Sequence, residues 1–133
     1  MAQTAPSPPQ MTIIYSMDAL LGDRFSMGRV PTGQERIVIP IVGGTFKGPK
    51  MSGKVLDLGA DWRLTDANDR RRTYIYVRTI GLPPGADGRT MLRGEFETST
   101  NGTYAWLNDV AAVGVMTRNG TSSVHIDMWQ VSI

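Results

Sequence analysis

No stretch of this 133-residue chain repeats its apolar residues at the helical spacing over a useful length, whereas several stretches alternate them. From Thr73 to Thr79, Ile75 and Val77 share one face while Tyr74, Tyr76 and Arg78 share the other. From Thr90 to Thr98, Leu92, Gly94, Phe96 and Thr98 fall on one side and Met91, Arg93, Glu95 and Glu97 on the other. From Ser123 to Ile133, Val124, Ile126 and Met128 oppose His125, Asp127, Trp129 and Val131. Glycine occurs 15 times and proline 8 times, scattered between the apolar runs, so tight turns are frequent. Many short strands joined this way give an all-β fold, a sandwich or a closed barrel.

The centre of the chain is the stretch Ile37–Trp62. Ile37 to Val42 is an apolar, β-branched strand in which Pro40 argues for an edge position, a strand start or a bulge. Gly43-Gly44 supplies a bend or a close backbone approach, Gly48-Pro49 a turn, and Gly53 to Leu58 a second strand. That strand runs into Gly59-Ala60-Asp61-Trp62, which brings one carboxylate and one indole to its end. Residues 1–10 form a Pro-rich, flexible tail, and 11–133 a single domain. Met11 to Leu21 reads as a first strand, Met27–Gly33 as a loop, Thr65–Arg72 as a charged loop and Gly81–Gly88 as a turn-rich loop. Tyr104 onward reads as one helical turn or a bulged strand, followed by a strand over Val110–Met116.

The net charge of +2 is small and its signs are interspersed, which gives no basis for nucleic-acid or membrane binding. Arg70-Arg71-Arg72 beside Tyr74 and Tyr76 is the one basic–aromatic patch, and Asp66 and Asp69 partly cancel it. The absence of cysteine excludes disulfides and thiolate metal sites, and a single histidine excludes a His-based metal cluster. No Gly-x-Gly-x-x-Gly, Walker or Gly-x-Ser-x-Gly motif is present, so no cofactor and no serine-hydrolase chemistry is expected. No run reaches transmembrane length and the N-terminus lacks a signal-peptide pattern, so a cytoplasmic protein is expected.

The ordered set Gly43-Gly44-Thr-Phe46-Lys-Gly48-Pro49, Gly53-Lys-Val55-Leu56 and Gly59-Ala60-Asp61-Trp62 resembles the signature of domain-of-unknown-function family 3237. So do Tyr76-Val77-Arg78 with Gly81, Phe96-Glu97-Thr98, Tyr104-Ala-Trp106-Leu107-Asn108, Val113-Gly114 and Val124 to Val131. The resemblance runs from about Met11 to the C-terminus. It implies a small antiparallel β-barrel that often self-associates. Some fungal relatives lie among genes for polyketide tailoring, which implies cofactor-free ring closure on an apolar aromatic substrate. The family usually has a further strand and hairpin between its Asp-Trp and its Tyr-Val-Arg. Here only a short charged loop separates them, so the barrel is shortened by about one hairpin. It must re-pair its neighbours or expose an edge.

Asp61 is the candidate general acid or base, since a partly desolvated carboxylate beside an indole titrates nearer neutrality. It can equally accept backbone N–H bonds from its glycine-rich turn. Tyr76 and Arg78 are candidates to polarise a substrate oxygen, or they form the solvent face of their strand. Trp62, Trp106, Trp129, Phe46 and Tyr104 line an apolar pocket for a flat ligand, or fill the core. Glu97, Asn108, His125 and Asp127 complete the polar candidates, with His125 and Asp127 on one face and able to share a proton. The expected activity is a cyclisation or isomerisation of a hydrophobic small molecule in a homo-oligomeric barrel. The alternatives are ligand binding without chemistry, or a structural, oligomerising role.

Overall fold

The computed structural model describes residues 5–57, 62–66 and 74–133, with 36–38 and 62–66 described by their backbone. The strands are β1 (Gln10–Leu21), β2 (Phe25–Arg29), β3 (Glu35–Val38), β4 (Ile41–Lys47), β5 (Ser52–Val55), β6 (Trp62–Asp66), β7 (Tyr74–Gly81), β8 (Thr90–Thr98), β9 (Ala111–Asn119) and β10 (Ser123–Ser132). A 3-10 turn spans Ala105–Asp109. Every pairing is antiparallel, and the neighbours run β1-β10-β9-β8-β7-β6-β5-β4 and back to β1, a closed barrel. β2 and β3 pair only with each other.

Alternation decides what faces inward. Ile75 and Val77 of β7, Leu92 and Phe96 of β8, and Val124, Ile126 and Met128 of β10 are all buried. β1 interrupts its own period: Ile14 and Tyr15 are buried in succession, and its register with β10 slips between Ile13 and Tyr15. A bulge of this kind inserts one residue and resets the alternation, so Tyr15, Met17 and Ala19 then point inward together. Tyr15 is the aromatic hub, edge-on to Phe46 at 5.9 Å and to Phe96 at 6.2 Å between ring centres. Full burial pushes its phenol above the ordinary value, so it stays neutral.

The barrel has two distinct ends. At the upper end lie the exit from β5, the entry to β6, the β7–β8 loop, the β9–β10 turn and the β2–β3 arm. At the lower end lie the β4–β5 turn and the 3-10 turn, whose Leu107 is buried together with Tyr104.

The strands differ from the sequence reading at four places. Residues 25–29 are a strand, β2, where a loop was expected from Met27 onward. The strand expected over Ile37–Val42 is broken, because Pro40 has no N–H for a ladder; its carbonyl instead accepts from the Gly22 amide at 2.8 Å. Gly43 and Gly44 are inside β4, opposite Leu20 and Ala19, and not at a bend; the close backbone approach falls on Gly44 alone. Trp62 does not end the strand begun at Gly53; it opens β6, which also takes in Thr65 and Asp66. With β6 seated between β5 and β7, the shortened middle leaves no open edge in the ring.

Candidate functional site

The most connected titratable cluster among the described residues is on the outer wall where β10 meets β1. His125 and Asp127 alternate with buried Val124, Ile126 and Met128, and Ser16 and Asp18 alternate with buried Tyr15, Met17 and Ala19. The register sets Asp18 opposite His125 and Ser16 opposite Asp127. Nδ1 of His125 is 2.8 Å from Oδ1 of Asp18, and Nε2 is 3.0 Å from Oδ1 of Asp127. The Ser16 hydroxyl donates to that same Asp127 oxygen at 2.6 Å. An imidazole facing carboxylates from both nitrogens donates from both only as the imidazolium. The hydrogen bond to Asp18 holds His125 above its ordinary value, Asp127 adds to this, and partial burial opposes it. Ser16 gives its hydrogen bond to a carboxylate and not to the histidine, so the cluster is not a nucleophilic triad.

A histidine whose folded-state pKa is raised stabilises the fold fully below its unfolded value, here 6.5, and loses that contribution as pH rises through the folded value. Urea unfolding between about pH 6 and about pH 9 should therefore show stability declining through a step absent from His125→Gln. The step should be no larger than about 1 kcal/mol, because Asp18 is well exposed. An unchanged profile in the variant would show that the carboxylates do not hold the charge.

The same strands continue into a groove of about 480 Å³, lined by Ser16, Asp18, Thr45, Phe46, Lys47, Ser52, Gly53 and Lys54. Register places Ser16, Lys47 and Ser52 in one row across β1, β4 and β5, and Asp18, Thr45 and Lys54 in the next. The rows continue onto β10 as Asp127 and His125. The sequence singled out His125 and Asp127 as a pair; Ser16, Asp18, Lys47 and Lys54 were missed. The alternation of Ser16 and Asp18 with buried neighbours was the available signal.

The other expected site residues are dispersed. Asp61 lies outside the described residues, as does the Arg70-Arg71-Arg72 run. Trp62 opens β6 opposite Val77, and its side chain is not among those described. Tyr76 and Arg78 lie on the outer face of β7, opposite Glu97 and Glu95 of β8. Phe46 and Tyr104 are core residues. Trp106 is half-buried in the 3-10 turn, with the Lys50 ammonium 5.2 Å from its ring centre, a cation–π contact. Trp129 is on the outer face of β10, between Ile13 and Val113. Asn108 clamps β8: its Oδ1 accepts from the Thr98 amide at 2.8 Å and its Nδ2 donates to the Thr98 carbonyl at 3.1 Å. Trp106 and Trp129 therefore do not line one cavity. Among the described residues no group of three or more His, Cys, Asp or Glu is arranged around a metal position. No helix among them is long and apolar enough to cross a membrane.

Residues 9–82, more than half of the chain, match the family described as "Protein of unknown function (DUF3237)". The chain belongs to this family. Its DUF3237 relative in Rhodopseudomonas palustris (strain ATCC BAA-98 / CGA009), the UPF0311 protein RPA1785, is 32% identical over 146 residues, covering 89% of this chain and 94% of the relative. The crystal structure of RPA1785 superposes with a TM-score of 0.75 at 28% identity, over 96% of this chain and 99% of that one. A beta-barrel like protein (ABAYE2633) from Acinetobacter baumannii AYE gives 0.74 at 26% identity, over 98% of this chain and all of the other (100%). An enzyme from Penicillium herquei shares the fold, with a TM-score of 0.59 at 21% identity over 98% and 100% of the two chains.

Proposed function

We propose that this DUF3237 protein is a cofactor-independent cyclase or isomerase acting on a hydrophobic, aromatic small molecule. The observation that carries the reading is the number of exposed large apolar side chains placed at the upper end: Leu20, Phe25, Met27, Ile80, Leu82 and Met91. An apolar patch of this kind marks a ligand or partner surface. β6 begins at this same end with Trp62, the residue that follows Asp61 in the sequence. The Penicillium herquei protein of this fold is described as an enzyme, which fits the reading without carrying it.

The chemistry asked of the site is addition of a hydroxyl oxygen across an activated C=C. Asp61 takes the hydroxyl proton, the oxygen forms its bond to carbon, and the proton is returned to the neighbouring carbon. Atoms balance, no electrons are transferred, and the folded substrate pose supplies much of the acceleration. Asp61→Asn should keep ligand-induced thermal stabilisation and lower turnover of a hydroxy-enone aromatic at least about 100-fold. Equal turnover in the variant ends the acid–base role of Asp61. If no aromatic raises the Tm but protein concentration does, the upper end serves a second copy instead, an outcome the β2–β3 arm favours. An isolated two-stranded ribbon is marginal in water, and β2 is exposed along its length.

A further inference from the structure

We propose that the outer-wall groove on β1, β4 and β5 is a second binding site, for a small hydroxylated anion: a hydroxy-carboxylate or a hydroxyalkyl phosphate. Its volume of about 480 Å³ is that of a small-molecule cleft. Asp18 is on β1, Lys47 on the middle strand β4 and Lys54 on β5, so the lining carries two cations against one carboxylate. Neither lysine is ion-paired with a described residue, although Asp18 is only one strand from Lys47. A pair of lysines held on facing strands without such a partner favours an anion between them.

Asp18 is fixed differently. His125 occupies its Oδ1 at 2.8 Å, and Asp127, which accepts from the Ser16 hydroxyl, holds the other ring nitrogen of His125. The charged groups facing His125 are Asp18 from β1 and Asp127 on its own strand, while β9 presents Thr117 opposite it. The hydrogen bond from His125 orients Asp18 and leaves Oδ2 to accept from a ligand hydroxyl. Asp18 and Lys54 are two inter-strand spacings apart, roughly 10 Å along the wall. A ligand of three to six heavy atoms between its anionic and hydroxyl groups spans that distance, passing Thr45 on the way.

Amide chemical-shift titrations of the full chain with glycerol phosphate, 4-hydroxybutyrate, inorganic phosphate and butyrate test this. The two hydroxylated probes should saturate at roughly fivefold lower concentration than their hydroxyl-free counterparts, with shifts centred on Ser16, Thr45 and Lys47. Whichever hydroxylated probe binds tighter assigns the anion as phosphate or carboxylate. Lys47→Ala/Lys54→Ala should weaken both at least about tenfold, and Lys47→Gln alone by less, with unchanged Tm showing that the fold survives. Asp18→Asn should abolish the hydroxyl preference while leaving inorganic phosphate affinity intact or tighter. Asp61→Asn should change none of these values, which separates this site from the one at the upper end. Failure to saturate by about 50 mM, shifts mapping away from β1, β4 and β5, or indifference to the double lysine substitution would each overturn the proposal.

Discussion

Alanine at position 44 should unfold the barrel under conditions in which alanine at position 43 leaves it intact. The two glycines are neighbours in β4 and look interchangeable in the sequence. Gly44 has φ of +133°, a region that L side chains rarely adopt, and a Cβ there would fall on the carbonyl oxygen of Asp18 and within 3.0 Å of the Ala19 Cα. Both obstacles are backbone of β1, so no rotamer change relieves them. At Gly43 the nearest atom to an added methyl would be the Leu20 Cδ1 at 3.8 Å, an ordinary contact. Strain alone accounts for about 1–3 kcal/mol. Pushing β1 away from β4 adds the loss of pairing at the seam that closes the ring, so the total for Gly44→Ala is about 3 kcal/mol or more. Gly43→Ala should stay within about 1 kcal/mol of the parent. Equal urea midpoints for the two variants would show that the close approach of β1 and β4 is not what position 44 requires.

Met128→Ala should cost about 3 kcal/mol, within the range for truncating a fully buried side chain. Met128 lies across Gly94 of β8 and Gly114 of β9: a Cβ on either glycine would come within 3.1 Å of its sulfur. The two glycines make the slot and the thioether fills it. This yields a sign change that ordinary destabilisation does not. In the parent, Gly94→Ala crowds Met128 and should lower stability. In the Met128→Ala background the same methyl enters the vacated space and should raise it. Gly114→Ala cannot do so, because its Cβ also meets the backbone oxygen of Asp127 at 2.9 Å. A double-mutant cycle over residues 94 and 128 measures the coupling directly, and additivity would refute the slot.

What the sequence made legible followed local periodicity. β7, β8 and β10 alternate cleanly, and their inward residues could be read from the order of apolar and polar positions. β6 was not legible: Arg63, Thr65 and Asp66 give it the polarity of a loop, and its place in the ring comes from pairing on both sides. β1 hid its bulge inside the apolar run Ile13-Ile14-Tyr15, where period two and a one-residue insertion look alike. The break at Pro40 was signalled by the proline, but a break and a bulge carry the same signal. The outer-wall cluster was half legible. His125 and Asp127 are two residues apart and share a face by period alone. Asp18 and Ser16 are more than a hundred positions away, at separations of 107 and 111, and only closure of the ring brings them there. The shared lining expected of Trp106 and Trp129 was inferred from residue type, which carries no information about which end or face of a barrel a side chain occupies.

Closure by the first and last strands has a practical consequence. Gln10 and Ser132 are partners, so both termini of the domain leave from the same rim, the one covered by the 3-10 turn. A tether or fusion at either terminus would therefore anchor the molecule by that rim and display the opposite, greasy rim to the surroundings. Immobilised on a sensor surface through either tag, the protein should present the same face to an incoming analyte.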